Sequence, residues 1–225
     1  MGSSCHARRT AASSARLVAM EFSEVVRRRR MVRRYDPDRP VPDEVVERCL
    51  ANAVRAPSAG FSQGWDFVVL TTEDEREAFW RVTTDEGAPS DAWLSGIRAA
   101  PVLVLCLSDK EAYLERYAAP DKGWTDRDEA RWPVPYWDVD TGMASLLILL
   151  TAVDEGLGGL FFGVPPERQA AVKEAFTIPS GRGIVGVVSM GYAVPGPKSP
   201  SLRRHRRGAS EVGHWGRFGV AREDH

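Results

Sequence analysis

The sequence is poor in cysteine, which removes two common ways of stabilising a fold or building a metal site. Its 225 residues include three cysteines, Cys5, Cys49 and Cys106. An odd number without regular spacing predicts neither a disulfide framework nor a zinc site. Cys49 and Cys106 stand among apolar neighbours, so we expect buried thiols, which suit a reducing cytoplasm.

Histidine is scarce as well. The four histidines are His6, His205, His214 and His225, all in the predicted terminal segments. A catalytic triad or a metal pair built on histidine is therefore not expected. Ser58 lacks the G-x-S-x-G motif of a nucleophilic serine. A site without an evident nucleophile or base fits a protein whose chemistry is supplied by a cofactor.

The sequence also lacks a long apolar run and an excess of either charge. Its most apolar run, Met143 to Val153, has 11 residues, whereas a membrane-spanning helix needs roughly 20. Residues 1–19 are small, polar and basic without an apolar signal core, which predicts a flexible leader and a cytoplasmic protein. A net charge of -1 and a pI near 6.5 argue against a surface that tracks nucleic acid.

What the sequence does have is a local excess of arginine. Residues 27–34 hold six arginines, and the guanidinium group is well shaped to bind phosphate through two hydrogen bonds. A second basic cluster occupies residues 203–207, and two clusters from distant segments can close on one phosphate. Three interpretations stay open on charge alone: a solvated basic face, a nucleic-acid contact, or a site for the phosphate of a cofactor.

Apolar spacing predicts helices that intermingle with short strands. Helices are expected from Phe22, from Pro42 to Val54 and over 73–81, 139–153 and 166–176; strands are expected over 32–35, 67–70, 101–107 and 184–192. The helix at 139–153 is apolar on nearly every side, so it should lie in the domain centre or between two subunits. Because strands and helices intermingle, the predicted fold class is α+β. The sequence shows no obvious domain linker, so one domain is expected over residues 20–225, including a C-terminal extension.

Three further features have an ordinary structural interpretation beside a functional one. The glycines of residues 156–163 follow a helix, so they mark either a helix end with tight packing or a close approach of backbone to a flat ligand. Asp138 and Asp140 are expected to be first-turn acids of the core helix rather than a catalytic pair. Residues 119–135 form a long loop, which is either plain packing or a lid.

Four motifs, in this order, resemble the nitroreductase family of flavin enzymes. The family's R-R-S-x-R-x-F opening is similar to residues 29–35, and its A-P-S-S-G-N-x-Q-P-W-x-F segment to residues 56–67. The G-L-G-T-x-W-I-G segment is similar to residues 156–163. The closing G-Y-P and basic tail resemble residues 191–193 and 204–215. Each motif alone is loose, whereas four in the right order are specific.

The resemblance implies a nitroreductase-like fold with a central mixed sheet flanked by helices. It also implies an intertwined homodimer that binds FMN at two interface sites. Carried over by position, the residues expected at the cofactor are Arg29, Arg30, Met31, Arg33, Pro57, Ser58, Ala59, Gly60, Phe61, Gly158, Gly159, Leu160, Arg204 and Arg206. The arginines would hold the phosphate and ribityl chain, with Met31 contributing backbone. Residues 57–61 would line the isoalloxazine from the partner subunit, and residues 158–160 would bring backbone N–H groups to it.

The sequence departs from the family pattern at three positions in these motifs. Phe61 stands where the family usually has an asparagine that bonds the flavin ring, and Gly64 replaces a proline. Met31 replaces the common serine, so one side-chain hydrogen bond to the cofactor is not expected. Solvated side chains are expected for Arg27, Arg28 and Arg34, and Arg27 also lies outside the matched motif.

The implied function is an FMN-dependent oxidoreductase, in which NADH or NADPH reduces the flavin and a nitroaromatic, quinone or enone acceptor re-oxidises it. Trp124, Trp132 and Tyr136 are candidate lid residues over the flavin. No side chain is assigned as a catalytic acid or base, no metal is expected, and neither nucleic acid nor membrane is an expected partner. The alternatives are a flavin-dependent dehydrogenase, a flavin-binding protein for storage or sensing without turnover, and a basic nucleic-acid binder.

Overall fold

A computed structural model describes residues 20–85, 92–196 and 203–222. The chain divides into two compact units, of which the larger ends at Val194 and the smaller begins at Pro195. The smaller unit contains one short helix in its described part, α8 (Ala209–Val212). The sheet and the other helices belong to the larger unit, so the expectation of one domain over residues 20–225 stays a prediction.

A four-stranded sheet forms the centre of the larger unit. Its strands are β1 (Trp65–Leu70), β2 (Val102–Asp109), β3 (Gly158–Phe162) and β4 (Arg182–Gly191). They lie in the order β1-β2-β4-β3, each antiparallel to its neighbours, so β1 and β3 are the edge strands. A parallel pairing occurs at an isolated bridge between Met31 and Gly159. The strand expected at 32–35 is absent; the segment follows the Met31 bridge and makes a second one, antiparallel, between Tyr35 and Ala193.

Seven α-helices flank this sheet in the described part of the larger unit. They are α1 (Phe22–Arg28), α2 (Asp43–Ala53), α3 (Glu73–Thr83), α4 (Ala92–Arg98), α5 (Lys110–Ala118), α6 (Tyr136–Asp154) and α7 (Gln169–Ala175). The helices expected at 73–81, 139–153 and 166–176 correspond to α3, α6 and α7, the last preceded by a short 3₁₀ turn at Pro166–Arg168. The sequence pattern did not predict α4 or α5. The architecture is α+β, as expected.

The sheet is buried on both faces. Along β2, Leu103, Leu105 and Leu107 face one core cluster, while Val104 and Cys106 face the other. The second cluster includes the inner side of α6 and Cys49 of α2. Burial raises the pKa of both the Cys49 and Cys106 thiols to about 12, so the expectation of buried, protonated thiols is confirmed.

Helix α6 is the longest helix in the described part of the chain. By length and composition it is apolar enough to cross a membrane, but 56% of its apolar window is buried inside the protein. Ala144, Ile148 and Ala152 face the core. Met143 and Leu146 are 42% and 47% exposed on the opposite side. One face of α6 therefore serves the domain core and the other is an apolar surface.

Candidate functional site

The arginine run begins on α1 and continues past its end. The Glu24 carboxylate accepts hydrogen bonds from the Arg27 side chain at 2.6 Å and from Arg28. These hydrogen bonds lower the pKa of Glu24, with that from Arg27 having the largest effect. By contrast, Arg29 and Arg30 have no acidic partner among the described residues. Two arginines of the run thus share one carboxylate, whereas Arg29 and Arg30 are available for an anion.

The part of the run at residues 29–33 lies beside β3. Val32 donates its backbone N–H to the Gly159 carbonyl at 2.9 Å, next to the Met31–Gly159 bridge. A Cβ on Gly158 would stand 2.6 Å from a methyl carbon of Val32, so only glycine permits this approach. Arg33 donates to the Met31 carbonyl at 3.3 Å. The fold therefore brings together two segments that the sequence placed at the cofactor, residues 29–33 and residues 158–160.

The glycines between α6 and the start of β3 have separate structural uses. Gly156 has φ +75° and ends α6, and the next residue, Leu157, donates to the Ala152 carbonyl at 2.7 Å. This is the pattern of a left-handed helix C-cap. A Cβ on Gly159 would lie 2.7 Å from Leu149. Helix capping and tight packing thus account for these glycines, and they also leave the β3 backbone without bulky side chains at Gly158 and Gly159.

The loop predicted to line the flavin ring has an unusual backbone. Gly60, Phe61 and Gln63 all have positive φ values, of 61°, 58° and 51°. Phe61 donates its backbone N–H to the Ser58 carbonyl at 3.0 Å, and the Ser58 hydroxyl accepts the Gln63 N–H at 3.0 Å. These bonds wind residues 58–63 into a tight turn, with the Phe61 side chain 76% exposed.

Side chains from two helices hold this loop in place. The buried carboxylate of Asp140 on α6 accepts the Ala59 N–H at 2.8 Å and the Tyr113 hydroxyl at 2.7 Å. Burial and the hydrogen bond to Asp140 raise the pKa of Tyr113, so its hydroxyl remains a donor. From α5, Arg116 donates to the Gly60 carbonyl at 2.9 Å. Asp140 is therefore not a first-turn acid as expected; it is a buried anchor, and Asp138 is the acid in the first turn.

Sequence analysis did not single out Tyr113, Arg116 or Tyr117. Tyr117 packs against Gly60, where an added Cβ would lie 2.7 Å from its ring. α5 was hard to predict because it carries several charges. Its buried residues, Tyr113 and Leu114, are adjacent in the sequence, so they do not form an apolar stripe with helical spacing. The signal that could have found them is the occurrence of two tyrosines four residues apart, on one helix face.

The lid candidates belong to an aromatic cluster. Trp132 lies at its centre, with ring centroids 4.6 Å from Tyr117, 5.6 Å from Trp124 and 5.9 Å from Tyr136. Tyr113 joins Trp132 at 5.9 Å. These contacts are those of packed aromatic rings. They connect residues 124–136 to the helix that supports the 58–63 loop, and the lid assignment stays a prediction.

The sheet separates the two parts of the predicted site within one chain. Residues 57–64 lead into β1, whereas residues 158–160 belong to β3, and three strand spacings, roughly 14 Å, lie between these edges. Trp65 is level with Ser108 and Gly183, but Gly158 is level with Gly191. The span from Gly183 to Gly191 adds roughly 26 Å along the strands. Within one chain, residues 29–33, predicted at the phosphate, therefore lie diagonally across the sheet from residues 57–61, predicted at the flavin ring.

The remaining predicted arginines lie in the smaller unit. Arg204 and Arg206 are exposed and have no ion-pair or hydrogen-bond partner among the described residues. Their neighbour Arg207 donates to the Glu211 carbonyl at 2.7 Å. His205 is 3.5 Å from the Glu211 carboxylate. The described residues contain no cluster of His, Cys, Asp or Glu side chains that could hold a metal ion.

Comparison with known proteins gives a consistent family. The model of the Nitroreductase family matches residues 26–192. A protein of Archaeoglobus fulgidus, provisionally named an NADH dehydrogenase/NAD(P)H nitroreductase, is 32% identical over 177 residues, covering 76% of this chain and 85% of its own. The NADH dehydrogenase of Thermus thermophilus is 27% identical over 217 residues, covering 89% of this chain and 98% of its own.

Solved structures share the fold. A nitroreductase family protein from Streptococcus pneumoniae has a TM-score of 0.66 at 17% identity, covering 86% of this chain and 99% of its own. A protein from Exiguobacterium sibiricum, provisionally described as a nitroreductase in complex with FMN, has a TM-score of 0.63 at 22% identity, covering 88% of this chain and 98% of its own. At these identities the likeness establishes the fold.

Proposed function

Because the chain belongs to the nitroreductase family, and is thus an oxidoreductase by family, we propose that it is an FMN-dependent enzyme that uses NADH or NADPH. The observation that carries this proposal is the pair Arg29 and Arg30. They have no acidic partner among the described residues, and they lie beside β3, which begins with Gly158 and Gly159. Guanidinium groups without an acidic partner suit a ligand that carries a phosphate.

The residues present fit FMN by their chemistry. Arg29, Arg30 and Arg33 would hold its phosphate and ribityl chain together with the Met31 backbone. The backbone of residues 158–160 would face the isoalloxazine and stabilise negative charge there. When bound, FMN would supply the ability to take up and release a hydride. This chain would bind and orient it, and solvent would supply protons, since no described side chain at the site is placed as an acid or base.

The diagonal separation of the two parts supports a homodimer with shared sites. One mononucleotide cannot touch residues 29–33 and residues 57–61 of the same chain when roughly 30 Å divides their places on the sheet. A second copy would bring its own 57–61 loop to the first copy's arginines. The exposed Met143 and Leu146 of α6 offer an apolar surface on which such a copy would pack.

The substrates would react in turn at one site. NADH or NADPH would bind first and leave as the oxidised nucleotide, and a nitroaromatic, quinone or enone would then take its place. The departures at Phe61 and Met31 favour one alternative worth testing, a flavin-binding protein without turnover. Both positions lose a polar side chain that the family uses at the cofactor, which would change how the flavin is held.

Absorbance spectroscopy of the purified protein tests the proposal. We expect a yellow protein with the two absorbance bands of oxidised flavin. Anaerobic NADH or NADPH should bleach those bands, and a quinone or nitroaromatic should restore them. Bound flavin that neither nucleotide reduces would favour the storage or sensing alternative. Protein that contains no flavin and does not bind added FMN would overturn the proposal.

A further inference from the structure

Phe61 is a bulky residue in a conformation that bulky residues rarely adopt. Its φ of 58° lies in the left-handed region, which glycine and asparagine occupy far more readily. It gains no burial in return, because its side chain remains 76% exposed. Folding alone therefore gives no reason for phenylalanine at this position, and an asparagine or glycine would suit the backbone better.

The contacts of the neighbouring residues hold Phe61 in this conformation. Two residues before Phe61, Ala59 donates its backbone N–H to the buried Asp140 carboxylate at 2.8 Å. Gly60, immediately before Phe61, accepts a hydrogen bond from the Arg116 side chain at its carbonyl, at 2.9 Å. With both groups anchored to helices, the turn has little freedom to relax the positive φ of Phe61. The phenyl ring is consequently held outward by a rigid support, as is expected of a side chain used for contact.

We propose that Phe61 is a specificity-determining residue that forms an apolar wall for flat, uncharged aromatic acceptors of the quinone class. The inference rests on the proposed function, in which the 57–61 loop reaches the flavin site of a second copy. A phenyl ring offers a face for stacking and no hydrogen bond. The segment from Pro57 to Gln63 carries no charged side chain, so this side of the site attracts a ligand by its apolar surface.

The reaction of such an acceptor is balanced by the donor of the proposed function. NAD(P)H supplies two electrons and one proton as a hydride, and solvent supplies a second proton. The quinone is reduced to the hydroquinone as both oxygens become hydroxyl groups, and NAD(P)H is oxidised to NAD(P)⁺. Phe61 takes no part in these transfers; it would increase the time that a flat acceptor spends against the flavin.

The test compares a stacking with a non-stacking acceptor on the FMN-loaded protein. The probes are 1,4-naphthoquinone and ferricyanide, each with the same nucleotide donor, and rates are normalised to bound flavin. For Phe61→Ala we expect the KM for naphthoquinone to rise about tenfold relative to that for ferricyanide, as for the loss of one stacked ring. The kcat for naphthoquinone should change less than its KM. Phe61→Tyr, which keeps the ring, should retain the wild-type ratio.

Matched measurements separate the possible failures. Phe218→Ala removes another exposed phenylalanine, outside the family match, and should leave the ratio of the two KM values unchanged. A Phe61→Ala protein with the wild-type ratio would overturn the inference, as would a selective rise in the KM for the nucleotide. If the wild-type protein, loaded with FMN, reduces neither acceptor, the proposed function fails, and the inference fails with it.

Discussion

At the scale of single residues, the arginines of the run differ in whether they have an acidic partner. Glu24 lies one helical turn before Arg27 and Arg28 and bonds both, a spacing that favours ion pairs on a helix. Arg29 ends the helix, so its side chain leaves that face. The family motif predicted phosphate contacts for Arg29, Arg30 and Arg33, and that assignment stays a prediction. The bonds to Glu24 are a separate physical reason to set Arg27 and Arg28 apart.

This division predicts unequal effects of two alanine substitutions. Arg29→Ala should weaken FMN binding about tenfold to a hundredfold, the range expected when a phosphate loses a charge-assisted hydrogen bond. Arg27→Ala is the matched control, two residues before Arg29 and outside the family motif. It removes a guanidinium that is already bound to the Glu24 carboxylate and should change the FMN dissociation constant little. Titration of each apoprotein with FMN, monitored by the quenching of flavin fluorescence, measures both dissociation constants. Equal weakening in the two variants would refute the phosphate assignment.

Single residues also show where sequence reasoning reaches its limit. The family motif placed Phe61 at the flavin, but nothing in a phenylalanine indicates that its φ will be positive. Asp140 looked like a helix-start acid because an aspartate near a helix N-terminus usually is one. Its role depends on Ala59, 81 residues away along the chain. Contacts between distant segments set both features, and local pattern does not contain them.

At the scale of elements, apolar patterns predicted best the pieces that are apolar on nearly every side. β2 is a continuous apolar run, and both its faces are covered. α6 was predicted by the same signal. The charges of α5 hide it from an apolar pattern, and the alternation of polar and apolar residues over 32–35 predicts a strand. In the structure that alternation reflects the burial of Val32 and Tyr35, and Tyr35 makes an isolated bridge to Ala193.

Helix α3 gives a prediction about pH. The Glu75 carboxylate accepts hydrogen bonds from the backbone N–H groups of Thr72 and Thr71, each at 2.9 Å, and they lower its pKa below 4.5. The unfolded chain lacks these bonds, so they stabilise the fold above pH 4.5, and this contribution is lost as the pH falls through the lowered pKa. Glu75→Gln should therefore cost stability at neutral pH and progressively less in acid.

Urea unfolding of wild type and Glu75→Gln at pH 7 and at about pH 3 measures this difference. The gap between their free energies of unfolding should narrow in acid. Glu73→Gln is the control, because Glu73 lies in the same first turn and makes no side-chain hydrogen bond to a described residue. A gap of the same size at both pH values would show that the Glu75 carboxylate does not act through its charge.

At the scale of the whole molecule, the sheet order decides which parts of the site one chain can bring together. Residues 29–33 and 158–160 meet at the β3 edge, whereas residues 57–61 lie at the opposite corner beside β1. The sequence could name all three segments through the family resemblance. It could not show their separation, because that follows from strand order and register.

A mixing experiment tests whether two chains share each site. We would co-express a chain carrying Arg29→Ala and Arg30→Ala with a chain carrying Gly60→Val, whose side chain would collide with Tyr117 at a φ of +61°. Each variant dimer alone should retain little FMN. In a mixed dimer with shared sites, one site receives both defects and the other receives neither, so flavin binding and NAD(P)H-dependent bleaching should return. With sites contained in single chains, each site keeps one defect, and the mixed dimer should bind no more FMN than its parents.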